Sequence, residues 1–485
     1  MLRRCTGKIK TAMALGWGLL LLAGCSPFAP QERTLPDQDL PESYTLYSGE
    51  PDPERRWWED FKDPELSFLI ESALADNFSI QEAWARLNQA RALAVQAGAE
   101  RYPDLTAEAN GLVGRQKTSG AAESRRLESV GLGVVSSYEV DFWGRVEAGR
   151  QAADLAALAR REEVGTAAVT LSAEVANRWI GIISQRMQKQ LIEEQIRINQ
   201  TLLELVTLRF KTAIVSALDV YQQKQILENL QAEIPLVEEQ EELLRHQLAV
   251  LLGKPPRTPL SITVESVPEL PPLPPAGLPA DLLAARPDVR AAGMRLAAAD
   301  WQVAEARAAR LPALRLTGRA RYGEGELDVL FDNWLLSLAA NLTAPIYDGG
   351  RRAAEVDRTV SLADERLAAY RRAVVTAVKE VEDALVSEAK QQAHIDGLQQ
   401  VIDTARQALE EAGNRYRNGL TDYLPVLTQL LSVQGLERDL IRRKAELIAT
   451  RVRLYRALGG VWTDDLLAPE TAGAGETAAG TFPGS

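Results

Sequence analysis

Two cysteines and two histidines are all that 485 residues contain, and aromatic side chains make up only 6% of the chain. With Cys5 and Cys25 the only thiols, no disulfide framework is available. His246 and His394 fall on predicted helices outside any recognisable ligand set, so neither a metal centre nor another cofactor is expected. Gly131-Leu132-Gly133 lacks the rest of a dinucleotide fingerprint and sits in a strand pattern. The formal net charge of −12 argues against a nucleic-acid partner. No catalytic constellation is left, and an enzyme is not expected.

The apolar run Ala12–Leu22 is also shorter than the roughly 20 residues a membrane-spanning helix needs. It follows Arg3, Arg4, Lys8 and Lys10 and ends in Leu22-Ala23-Gly24-Cys25, the pattern of a secretory signal closed by a lipobox. Residues 1–24 are therefore read as a signal peptide. The Cys25 thiol is the nucleophile that takes a diacylglyceryl group, and Cys25 becomes the mature, lipid-anchored N-terminus. Ser26, where an aspartate would signal inner-membrane retention in bacterial lipoproteins, favours sorting to the outer membrane.

What the chain does have is a second copy of itself. Gly144–Gly253 overlays Gly350–Gly459 without a gap at an offset of 206, pairing Arg209-Phe210-Lys211 with Arg415-Tyr416-Arg417 and Leu251-Leu252-Gly253 with Ala457-Leu458-Gly459. Upstream, Ile80–Leu105 overlays Val289–Leu314 at an offset of 209. A unit of about 170 residues thus occurs twice. The expected organisation is an extended strap over 25–56, a first repeat over 57–253, a Pro-rich connector over 254–279, a second repeat over 280–462 and a disordered tail over 463–485.

Within each repeat the hydrophobic period changes. Alternation with period 2 predicts strands at about 104–116 and 130–142, and again at about 313–323 and 334–346. Such strands, about ten residues long, suit a tilted membrane strand. From Gly144 to Lys211 there is no proline, and Leu191, Ile198 and Leu205 recur at heptad spacing. A helix of that length would run roughly 100 Å. With the returning segments to about 252 and 459, each repeat becomes an antiparallel helical pair. The fold class is mainly α with a membrane β-barrel. Four strands per chain cannot close a barrel, so further copies must complete it. Two copies give eight strands and a filled interior; three give twelve and the beginning of a lumen, which Arg315, Arg319 and Arg321 on one face favour.

Several motifs together make the chain resemble the TolC family of outer-membrane efflux ducts, in its OprM/NodT-like lipoprotein branch. They are the lipobox, Trp57-Trp58-Glu59-Asp60-Phe61 with Asp63-Pro64-Glu65-Leu66, Tyr138-Glu139-Val140-Asp141-Phe142-Trp143-Gly144, Ala344-Pro345-Ile346-Tyr347-Asp348-Gly349-Gly350, and Arg415-Tyr416-Arg417-Asn418-Gly419. The resemblance implies a homotrimer with a twelve-stranded barrel in outer-membrane lipid and an α-helical barrel in the periplasm. It also implies a periplasmic adaptor and an inner-membrane pump, of the resistance-nodulation-division type in this branch. The helix-hairpin tips would form the periplasmic aperture, with Leu424 at the position of an apolar constriction. Tyr416, Arg417, Asp219 and Asp422 are candidates for latching the tips. Thr428 stands where relatives often carry an aspartate, so Asp219 and Asp422 are left to supply acidic character. The rival readings are a duct for type I protein secretion and a periplasm-spanning structural lipoprotein that transports nothing.

Overall fold

The computed structural model describes residues 27–30, 44, 56–117, 119, 124–274, 282–323, 330–331 and 333–468. Cys25 and Ser26, the signal peptide and most of the strap lie outside the described residues. The elements in order are α1 (Pro64–Asp76), α2 (Phe78–Ala99), β1 (Asp104–Gln116), β2 (Arg125–Val140), α3 (Arg145–Lys211), α4 (Ala217–Leu251), α5 (Pro287–Ala308), β3 (Ala313–Tyr322), β4 (Trp334–Thr343), α6 (Arg351–Arg417) and α7 (Leu424–Leu458).

The duplication is visible in element lengths. Helices α3 and α6 have 67 residues each, α4 and α7 have 35 each, and α2 and α5 have 22 each. The four glycines that bound the long overlay, Gly144, Gly253, Gly350 and Gly459, all adopt positive φ. Two of them need it for a shared contact as well. A Cβ on Gly253 would sit 2.4 Å from the Asp76 carbonyl, and one on Gly459 2.8 Å from the Ala285 carbonyl, the equivalent residue. At the next position Asn77 donates to Leu251 O (2.8 Å) and Arg286 donates to Ala457 O (3.0 Å). The same joint is thus made by an amide in one repeat and a guanidinium in the other. Arg286 is held by Asp288 and Glu380, both at 2.7 Å.

The chain divides into two compact units. One contains residues 27–30, Leu87–Arg160 and Ala291–Arg371; the other contains the remaining described residues from Tyr44 onward. The first carries a four-stranded antiparallel sheet in the order β1-β2-β3-β4, with β1 and β4 as edges unpaired among the described residues. Facing residues in the register share a side. Leu105, Val134, Leu316 and Ala340 belong to one face, with Leu132, Tyr322, Leu338 and Trp334; Thr106, Val135, Arg319 and Ser337 share the other, with Glu108, Ser137, Arg315 and Asn341. The apolar face is bare, Leu338 being 83% exposed. Two strand ends differ from expectation. β2 begins at Arg125 because β1 is long enough to pair it through Gln116, and β4 stops at Thr343, two residues before Pro345.

In the second unit Asp63 caps α1 through Glu65 N (2.8 Å) and Leu66 N (3.0 Å), with Pro64 at the first helical position. Trp57 stacks on Tyr455 at 5.3 Å, and Trp58 meets Trp462 edge-on at 5.0 Å. The pairs α3/α4 and α6/α7 are antiparallel, as the Arg186–Glu241 (2.9 Å) and Glu388–Arg451 (2.5 Å) bridges require. The connector is held by its carbonyls: Arg186 and Arg245 donate to Ile262 O (2.7 Å) and Leu260 O (3.3 Å), and Arg451 to Pro271 O (2.5 Å) and Pro272 O (2.8 Å). Arg245 and Arg451 are repeat equivalents. The tail starts later than position 463. Val461–Asp465 is a 3-10 turn because Trp462 is drawn into the tryptophan cluster and Asp464 binds Arg290 at 2.6 Å. From 469 the tail lies outside the described residues.

Candidate functional site at the helix tips

Both helical pairs reverse through the same backbone device. Ile214 N bonds Arg209 O and Leu420 N bonds Arg415 O, each at 2.9 Å, so that the last turn closes on a left-handed residue. In the second tip that residue is Gly419, φ 71°; in the first it is Ala213, φ 58°, a conformation costly for a side-chain-bearing residue.

Asp219 completes a capping box: Ser216 Oγ accepts from Asp219 N (3.4 Å) while the Asp219 carboxylate accepts from Ser216 N (3.0 Å). Its first task is therefore to hold the start of α4. Asp422 is exposed and makes no hydrogen bond or ion pair among the described residues. Arg417 donates to Asn414 Oδ1 at 2.5 Å, within its own helix. Thr428 is exposed and donates to Leu424 O (2.9 Å). Leu424 is 57% exposed, so it is not part of the helix-pair core. Tyr416 is buried in a cluster with Val206, Ile226, Leu230, Tyr423 and Leu427. Its ring lies 5.3 Å from that of Tyr423 and under the Arg209 guanidinium at 4.4 Å. Its hydroxyl has no partner among the described residues.

A chain of polar contacts joins these tips, and its members carry no local motif. Tyr423 OH donates to Gln223 Oε1 (2.7 Å), Gln223 Nε2 donates to Asn199 Oδ1 (2.9 Å) and O (3.1 Å), and Asn199 Nδ2 donates to Gln195 O (2.7 Å). Gln195 Nε2 reaches Gln434 O (3.2 Å), and Arg438 bonds Gln195 Oε1 (3.4 Å) and Glu233 (3.0 Å). Gln223 and Asn199 are fully buried. Burial, with the nearby Tyr416 and Asp219, pushes the Tyr423 phenol well above its ordinary range, so it stays a donor. The available signal was a polar amide at a seam position where the heptad pattern calls for an apolar residue. No group of acidic, histidine or cysteine side chains suited to a metal occurs among the described residues.

The family described as outer membrane efflux protein matches residues 69–254 and 278–460, one stretch in each repeat. The pyoverdine export outer membrane protein OpmQ of Pseudomonas aeruginosa is 34% identical over 432 residues, covering 85% of this chain and 88% of the relative. Outer membrane protein OprJ of the same species is 30% identical over 423 residues, covering 84% and 86%. Among solved structures, the outer-membrane channel OprN superposes with a TM-score of 0.85 at 27% identity, covering 90% of this chain and all of that one.

Proposed function

The chain belongs to the outer membrane efflux protein family, and from that premise we propose that it is the passive outer-membrane duct of a tripartite efflux system, working as a homotrimer. The observation that carries the reading is the sheet: four strands with one apolar and one polar face and two unpaired edges. Open strand edges in lipid leave backbone groups unsatisfied at several kcal/mol each, so β1 of one copy must pair with β4 of the next. Three copies give twelve strands around a wet interior. A tether that transports nothing has no use for such a sheet. Similarity to a pyoverdine export outer membrane protein supports small-molecule efflux over protein secretion.

The passage draws no energy of its own. A periplasmic adaptor and an inner-membrane pump, of the resistance-nodulation-division type, supply cargo and drive. The helix tips form the closed resting aperture, with the exposed Leu424 as its apolar constriction and Asp422 free to bond across subunits. Asp219, Tyr416, Arg417 and Thr428 shape the tips from behind. Cys25 carries the lipid and Ser26 keeps the protein in the outer membrane. The test is single-channel conductance of the purified protein in planar bilayers, with its mass in detergent measured in parallel. A trimer with small openings that enlarge on Leu424→Ala agrees with the reading; a monomer, or a trimer that never conducts, would end it. Mass spectrometry of the mature N-terminus decides the lipid.

A further inference from the structure

On the polar face of the sheet, Arg315 is answered: it lies 3.3 Å from Glu139, which also binds Arg145 at 2.9 Å. Arg319 and Arg321 are not. Neither forms an ion pair among the described residues, and Arg321 Nε is buried with no partner there. Their facing neighbours are uncharged, Val135 and Ser337 for Arg319 and Gly133 and Leu335 for Arg321.

The sheet is notched beside Arg321. A Cβ on Gly131 would lie 3.2 Å from Arg321 Nε and 2.7 Å from Asn110 Oδ1, and one on Gly133 would lie 2.9 Å from Ala320 O. A side chain at Gly133 would meet main chain, and one at Gly131 would have to displace Asn110 and Arg321, so the guanidinium lies over a glycine floor with Asn110 beside it. Glu108 shares the level of Arg321 but lies two strands away across Gly133. The strands are about 10 Å apart there, and no ion pair joins the two side chains among the described residues. The two levels therefore hold two open guanidiniums against one carboxylate.

Resting on the duct reading, which makes this face the wall of the lumen, we propose that Arg319 and Arg321 form a weak binding step in the barrel for anionic cargo, solutes bearing carboxylate or phosphate. A guanidinium fork matches such groups in two-pronged geometry, and a site on an open wall binds weakly enough for release, as conduction demands. In a trimer the step is a ring of six guanidiniums.

The probe is citrate, added to either side of the full-length trimer in planar bilayers. Citrate on the side of the strand-connecting loops should block the current more strongly than citrate on the helix-tip side, and the block should fade in high salt. Arg319→Gln with Arg321→Gln should raise the half-blocking concentration about tenfold, one bound citrate meeting the pair of a single subunit at roughly threefold per charge for about 7 Å in water. Glu108→Gln should lower it, and Arg315→Gln should leave it unchanged. Block that is identical in the double variant, or equal from both sides, overturns the proposal. A wild-type trimer that inserts and passes no ions refutes the duct itself, and the proposal with it.

Discussion

Removing one hydroxyl should loosen both helix tips together. In Tyr423→Phe the 2.7 Å bond to Gln223 is lost while the ring keeps its place beside Tyr416. Gln223 is fully buried, so its Oε1 is left without a donor, at a cost of about 1–3 kcal/mol. Local opening should therefore become about 5- to 150-fold more frequent, since about 1.4 kcal/mol is a factor of ten. Amide hydrogen exchange reads this directly. Faster exchange is expected at the start of α7, where Tyr423 sits, and at the start of α4, which holds Gln223, because the bond joins them. Adding Gln223→Met should cost less than the sum of the single changes, because the orphaned acceptor is gone. Exchange within about twofold of wild type in Tyr423→Phe, or a change confined to α7, would refute the coupling.

Alkaline pH should act on the same place. The unfolded phenol titrates near 10.0 and the folded Tyr423 higher, so the unfolded state loses its proton first and stability falls as pH rises past that value. Melting curves from neutral pH upward should show this decline, shallower in Tyr423→Phe, though Tyr455, also raised by burial, keeps part of it. At the turns, Ala213→Gly should stabilise the first tip by about 1 kcal/mol and Gly419→Ala should destabilise the second by a similar amount; exchange at Ile214 and Leu420 measures both, and shifts of the same sign would contradict the shared geometry. Arg451→Met strands the buried Glu388 and should cost about 3–5 kcal/mol, part of it recovered by Glu388→Leu in the same chain while the lost hold on Pro271 O and Pro272 O remains; thermal melts followed by tryptophan fluorescence compare them, and equal melting of the two variants would sink the argument.

The repeat, the Asp63-Pro64 cap and the period-2 strands were legible because each is a local or periodic signal. The same locality explains what stayed hidden. Ala213 gives no sign of a left-handed turn, and only its alignment with Gly419 reveals one. Ser216-Ala217-Leu218-Asp219 spells a capping box, yet an aspartate at a tip also suggests a latch, and spacing alone does not choose between them. Tyr423 and Gln223 are 200 residues apart, a distance at which one sequence carries no pairing information. The tail boundary moved because glycine, alanine and threonine dominate beyond Thr463, and composition hides the short turn that Trp462 pins.

The connector's arginine contacts have a further consequence. Arg186, Arg245 and Arg451 all donate to main-chain oxygens of the segment, and every residue type, proline included, presents that oxygen. At those points a position is recognised and an identity is not. The segment is therefore free to drift in sequence wherever its path is kept, while an arginine that reads it cannot change without releasing the strand it holds. Variation should concentrate in the bound partner and constancy in the clamps, the reverse of what side-chain recognition would impose.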